Sequence, residues 1–173
     1  KTVKGNGFSL KDIEAFDIGP GNCLIDEWLR KNSNKRFDES GFIGKSGTVN
    51  QLILNQAIEN FNIIFFDKSL DIKDFDISFA KGLSLEDGCA TITNFTAYLI
   101  SEGLKFLNKK NNQTSNRYLI CGGGRKNIFL IETIKKYLNN FKNIILEPID
   151  LYDYNGDYIE SQAFGYLAIR SYL

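Results

Sequence analysis

Residues 118–146 read as strand, glycine turn, helix and strand, and that order leaves few folds open. Tyr118 to Cys121 is a short apolar run that reads as a buried strand. Gly122-Gly123-Gly124 turns the chain. Asn127 to Leu138 repeats apolar residues at Leu130, Ile131, Ile134 and Leu138, a helical stripe, and Asn143 to Leu146 is apolar again. A strand that returns to its own sheet through a helix lies parallel to the first. The chain is therefore expected to be α/β, with helices packed on a sheet. Its 173 residues, 43% of them hydrophobic, are enough for one domain with a real core.

Other elements follow from pattern. Asp12 to Asp17 reads as a short strand. Cys23 to Lys31 reads as a helix with Leu24, Ile25, Trp28 and Leu29 on one face. Residues 32–47 are polar and glycine-containing, hence loop. Thr48 with Gln51 fits a capping box, which predicts a helix over 48–60 with Val49, Leu52, Ile53 and Ile58 inward. Phe61 to Phe66 is a strand or extended loop, and 67–82 an ordered acidic loop. Ser84 caps a long helix to about Asn108, with Asp87 in its first turn and Ile92, Phe95, Leu99, Ile100 and Leu107 in its stripe. Lys109 to Asn116 is a surface loop. Asp157 to Leu173 is the last helix, with Ile159, Ala163, Phe164 and Leu167 inward.

Composition excludes whole classes of chemistry. The chain has no histidine, so histidine triads, histidine bases and most transition-metal sites are ruled out. Acid–base work falls to carboxylates, lysine or tyrosine. Lysine plus arginine equals aspartate plus glutamate, 21 against 21, which leaves no electrostatic footprint for nucleic acid. Apolar runs are too short for a membrane span, and no signal peptide is expected. Cys23, Cys89 and Cys121 are far apart and form no disulfide framework or zinc site. They read as small buried hydrophobes in a reducing cytoplasm. With no methionine at all, the chain is expected to be a fragment or processed piece.

Two segments carry candidate chemistry. In Ala15-Phe16-Asp17-Ile18-Gly19-Pro20-Gly21-Asn22 an apolar run ends in a carboxylate before a turn and a helix. That places Asp17 at the C-terminal end of a strand, where open α/β sheets bind ligands. Asp17 is either a base or a turn aspartate bonding its own backbone. Asn22 is a ligand contact or the N-cap of the next helix, and Asp26 suits that helix's dipole. The triple glycine lets a ligand approach the backbone, or is simply a turn needing positive φ. It matches neither the dinucleotide fingerprint nor a Walker loop. Asp157 and Glu160 have capping spacing, or else Glu160 faces a cleft and a sugar hydroxyl. Thr91, Thr93 and Thr96 either bond the preceding turn or line a cleft. Lys68-Ser69 and Arg125-Lys126 either contact a phosphate or are solvated, the solvated reading being preferred.

These pieces, in this order, resemble the 1,6-anhydro-N-acetylmuramic acid kinase family. The segments are Ala15 to Asn22 with Leu24-Ile25-Asp26; Lys68-Ser69 with Phe75; Asp87 with Ala90-Thr91-Ile92-Thr93 and Thr96-Ala97; Cys121 to Gly124 with Asn127; and Gly156-Asp157 with Glu160, Gln162-Ala163-Phe164 and Leu167-Ala168. The resemblance implies an actin-like, sugar-kinase (ribonuclease H-like) ATPase fold. In it two α/β lobes, each a mixed sheet flanked by helices, hold ATP and Mg²⁺ between them. Residues 1–173 would be the single C-terminal lobe, without the family's N-terminal phosphate-binding segment. The implied reaction phosphorylates the sugar O6 while water opens the 1,6-anhydro ring. Asp17 matches the family's general base. Gly19, Gly21 and Asn22 would lie near the phosphates. Gly122, Gly123, Gly124 and Asn127 match the segment over the nucleotide, and Glu160 matches a glutamate at a cleft-facing helix start. The partner implied is a small amino sugar, with a homodimer as the family's assembly and no nucleic acid or membrane.

The sequence departs from the family after Lys68-Ser69, where Leu70-Asp71-Ile72-Lys73 replaces the usual Thr-Gly-Arg-Glu. Arg125-Lys126 also replaces a smaller, less charged pair. Two other classes stay open: an actin-like phosphotransferase or ATPase with a different acceptor, and a non-catalytic α/β binding module.

Overall fold

A computed structural model describes residues 17–61, 75–111 and 116–172, with side chains at 110 and 111 left aside. The helices are α1 (Cys23–Asn32), α2 (Phe42–Ser46), α3 (Gln51–Asn60), α4 (Leu85–Asn111), α5 (Ile128–Tyr137) and α6 (Ile159–Ser171). The strands are β1 (Asn116–Ile120) and β2 (Ile144–Pro148). They pair in parallel, Asn116 opposite Ile144 and Ile120 opposite Pro148, with α5 as the crossover. The βαβ expectation is met. Residues 12–16 of the expected first strand and most of 61–74 lie outside the described residues, as do Lys68 and Ser69.

The organising element is α4. Ser84 Oγ accepts the Asp87 N–H at 3.0 Å, the cap that the sequence indicates. At 1.5 Å per residue the helix runs about 40 Å. Its apolar and small residues go all the way round, so it can be packed on several sides. α1, α2, α3 and α5 all pack against it. Cys89, Ala90, Ile92, Ala97 and Leu99 are fully buried, as are Thr91, Thr93, Thr96 and Ser101. The threonines therefore line no cleft. Thr91 Oγ donates to the Asp87 carbonyl at 2.7 Å and accepts the Asn50 N–H at 3.0 Å.

α1 lays Leu24, Ile25, Trp28 and Leu29 on α4, as its stripe indicates. Trp28 Nε1–H reaches the Leu85 carbonyl at 2.9 Å. Gly88 sits directly under that indole, where a Cβ would overlap the ring. α5 buries Leu130, Ile134 and Leu138 on the other side.

Three expectations are corrected. Residues 32–47 are not plain loop: they contain a 3₁₀ turn, Glu39–Gly41, and α2. Asp38 organises them. It is 5% exposed, and its carboxylate accepts the Ile43 and Gly44 amides at 2.8 and 2.9 Å. The capping box at Thr48 is not formed. The Thr48 amide donates to Asp87 Oδ1 at 2.7 Å, and Asn50 caps α3 instead, its side chain accepting the Ile53 N–H at 3.1 Å. The new phase turns Leu54 and Ala57 inward and leaves Leu52 80% exposed. Among the described residues of α6 none is buried, although Phe164 and Leu167 carry an apolar stripe.

Candidate functional site

The segment before α1 is laid along α4 by close packing. Ile18 fills the space over Gly103, and Gly19 stacks on Leu99 and Ile100, whose Cγ1 would stand 3.2 Å from an added Cβ. Pro20 is buried, and its carbonyl accepts the Cys23 N–H at 3.2 Å to open α1. Asp17, just before this anchored stretch, is exposed. Gly21 turns at φ 59°, a left-handed conformation that suits glycine, with open space over its Cα.

Asn22 occupies the N-cap position of α1 but makes no side-chain cap bond. Its Oδ1 is buried with no hydrogen-bond partner among the described residues. It points to the glycine turn, 3.8 Å from where a Cβ on Gly124 would stand. A buried acceptor without a donor costs free energy, and a ligand donor would relieve it. Asp26, one turn on, has its carboxyl pushed up by burial, against the pull of Arg30 and with Asp38 adding to the rise.

The glycine turn closes the other side. Gly122 has φ 77° and ψ −178°, a region open essentially to glycine alone. A 3₁₀ turn, Gly123–Lys126, follows, and Gly123 has open space above it. Ile18, Gly21, Asn22, Cys121 and Gly124 share the lining of one cavity of about 310 Å³, floored by Ile100, Leu130 and Leu146. The two segments singled out in sequence thus meet, though a hundred residues apart. Cys121 is exposed at this junction and Cys23 half-buried; only Cys89 is the buried hydrophobe expected of all three. Burial and the Asp38 carboxylate push the Cys89 thiol up, out of the reactive range.

Asn127 is 3% exposed, and its Oδ1 accepts the Leu130 N–H at 2.9 Å, which caps α5. Glu160 is exposed in the first turn of α6. The Asp157–Glu160 capping box is not formed: Tyr158 holds the N-cap position. Asp157 instead accepts hydrogen bonds from Arg125 Nη1 at 2.6 Å and Lys126 Nζ at 2.7 Å. Arg125 is not the solvated cation expected, because its side chain is only 8% exposed. This ion-pair cluster is what the sequence reading missed. The available signal was the acidic run Glu147, Asp150, Asp153, Asp157 following a glycine turn with two cations. Among the described residues no group of three or more cysteine or acidic side chains is arranged to hold a metal ion. No helix among them is long and apolar enough to cross a membrane.

Comparison with known proteins gives one family. The model of anhydro-N-acetylmuramic acid kinase matches residues 9–172. A protein of that name from Pelagibacter ubique is 51% identical over 166 residues, 94% of this chain and 44% of that protein. One from Zymomonas mobilis is 34% identical over 165 residues, covering 95% of this chain and 43% of its own length. One from Rhizorhabdus wittichii is 37% identical over 164 residues, 92% and 42%. The chain spans less than half the length of these relatives. The matched range includes the Asp17 turn, the glycine triplet and the Glu160 helix, and the chain belongs to the anhydro-N-acetylmuramic acid kinase family.

Proposed function

We propose that the complete protein phosphorylates 1,6-anhydro-N-acetylmuramic acid with ATP and hydrolyses its anhydro bridge, yielding N-acetylmuramic acid 6-phosphate and ADP. Residues 1–173 are the C-terminal lobe of an actin-like, two-lobed enzyme that recycles cell-wall sugar in the cytoplasm. The observation that carries this reading is the family match together with the shared cavity. Ile18, Gly21 and Asn22 of the turn after Asp17 and Cys121 and Gly124 of the glycine turn line one cavity of about 310 Å³, where the Asn22 oxygen is buried without a hydrogen-bond partner among the described residues.

Asp17 is the general base. Its exposed carboxylate takes a proton from a water that attacks the anomeric carbon of the sugar. The electron pair of the breaking C1–O6 bond passes to O6, which attacks the γ-phosphorus and displaces ADP. Both changes balance with one water and one ATP consumed. Packing of Ile18 on Gly103 and of Gly19 on α4 fixes the backbone just after the carboxylate, so little reorganisation is needed.

The residues present fit a nucleotide. Gly21 and Asn22 offer a close approach on one side of the cavity and Gly124 on the other, Gly122 and Gly123 continue that turn with open space over their Cα atoms, and Gly19, packed on α4, supports the first turn from behind. Asn127 acts through α5, whose start it caps. Glu160, at the start of α6, is assigned to a sugar hydroxyl. Bound with the nucleotide, Mg²⁺ would neutralise charge at the phosphates.

The test is Asp17→Asn in the family-length protein. Turnover of the anhydro sugar should fall by at least about 10²-fold, the lower range for a lost general base, while ATP affinity stays unchanged. Near-full turnover by this variant would remove the base assignment. ADP release across a panel of sugars separates the anhydro substrate from other acceptors.

A further inference from the structure

Gly122 is held from both sides. Its N–H donates to the Gly156 carbonyl at 2.8 Å, and its own carbonyl accepts Arg125 Nη1–H at 2.9 Å. The same guanidinium grips Asp150 fork to fork, Nε to Oδ2 at 2.7 Å and Nη2 to Oδ1 at 3.0 Å. Nη1 also reaches Asp157 Oδ1 at 2.6 Å, and Lys126 takes the other Asp157 oxygen. The Gly156 amide closes the ring on Asp150 Oδ1 at 3.4 Å. A side chain at Gly156 would collide with Arg125, so the chain wraps the guanidinium closely.

A glycine at φ 77° is a soft point, because nothing in its own chemistry selects that conformation from the others it can adopt. Here the selection comes from outside the turn. The restraint lands on the chain entering α6, three residues before Glu160. The geometry points to Arg125 as a positioning residue that locks the Gly122–Gly124 turn to the start of α6, so that the nucleotide-facing backbone and Glu160 move as one body. This rests on the nucleotide reading of the glycine turn given above. The Arg125 donors go to the Gly122 carbonyl, Asp150 and Asp157, which makes its role one of positioning. Its planar fork serves the Gly122 carbonyl and two carboxylates at once, which a lysine ammonium on a flexible stem does not reproduce.

The experiment uses the family-length protein with Arg125→Ala, Arg125→Lys and Asp150→Asn. Three quantities are read: the dissociation constant of a non-hydrolysable ATP analogue with Mg²⁺, by calorimetry without sugar; KM and kcat for ADP release with the anhydro sugar; and Tm. Arg125→Ala should weaken nucleotide binding about tenfold, the size of one lost charge-assisted hydrogen bond, with kcat at saturating ATP within about threefold. KM for the sugar should rise with it, since Glu160 loses the same anchor. Arg125→Lys should recover part of the affinity. If Arg125→Ala does not fold, Asp150→Asn, which cuts the fork, carries the same prediction. A folded variant with lower Tm but unchanged nucleotide affinity overturns the proposal and leaves Arg125 a structural strut. Wild type that binds the analogue but ignores the sugar overturns the substrate reading alone, and the affinity comparison still decides Arg125. Wild type that binds no nucleotide overturns both.

Discussion

At Gly88 a hydrogen atom stands where any other residue would put a methyl group into the Trp28 indole. Trp28 cannot step aside, because it is 4% exposed and its Nε1–H is tied to the Leu85 carbonyl. Overpacking of a rigid ring costs about 1–3 kcal/mol, and overlap with ring carbons belongs at the upper end. Alanine gains about 1 kcal/mol in helix propensity over glycine, which does not offset it. Gly88→Ala should therefore lower Tm. Gly165→Ala, in α6 with open space over its Cα, should raise it or leave it level. Thermal scans of the two variants side by side check both signs. Neither glycine is distinguishable in sequence, since each lies within a helical pattern. Asn22 makes the same point for the site: its position before a helix was legible, but not that its oxygen would be left buried and without a donor.

Between elements, the decisive contact is the ion-pair cluster that joins the glycine turn to α6. Asp150 has its carboxyl held down, to about 2, chiefly by hydrogen bonding to Arg125, against an ordinary value of 3.8. Asp157 is lowered by Arg125 and then Lys126. A carboxylate with a depressed folded-state pKa adds stability that is fully present above its unfolded value. That contribution is lost as pH falls from about 4 towards about 2, when protons displace the guanidinium. Both carboxylates are partly exposed, so screening makes the effect small in magnitude though definite in direction. Carboxyl NMR titration should place Asp150 well below a free aspartate, and Arg125→Ala should return it to the ordinary range. The individual elements were legible: α1, α4, α5 and both strands follow from apolar spacing. The contacts joining them were not, because an ion pair between positions 125 and 150 leaves no periodic trace.

On the scale of the whole molecule, α6 is the outlier. Phe164, Tyr166, Leu167 and Ile169 are each about half exposed or more, as are Leu151 and Tyr154 before it. Apolar surface gathered on one helix is unusual on a monomer and favours association. The chain expressed alone should self-associate in light scattering, and Phe164→Ser with Leu167→Lys should reduce that without lowering Tm. A clean monomer without these changes would count against the idea. What the sequence by itself determined was the parallel βαβ unit, the stripes of α1 and α5, the long capped α4 and the family. Each of these depends on residues close in the chain, or on their order along it. Only the tertiary structure decided that Asn50 caps α3, that Thr93 and Thr96 are sealed in the core, that Asp38 builds a helix inside an expected loop, and that Arg125 is a buried clamp. Those outcomes depend on which distant groups compete for the same amide, carboxylate or cavity, and that competition is settled only when the chain has closed on α4.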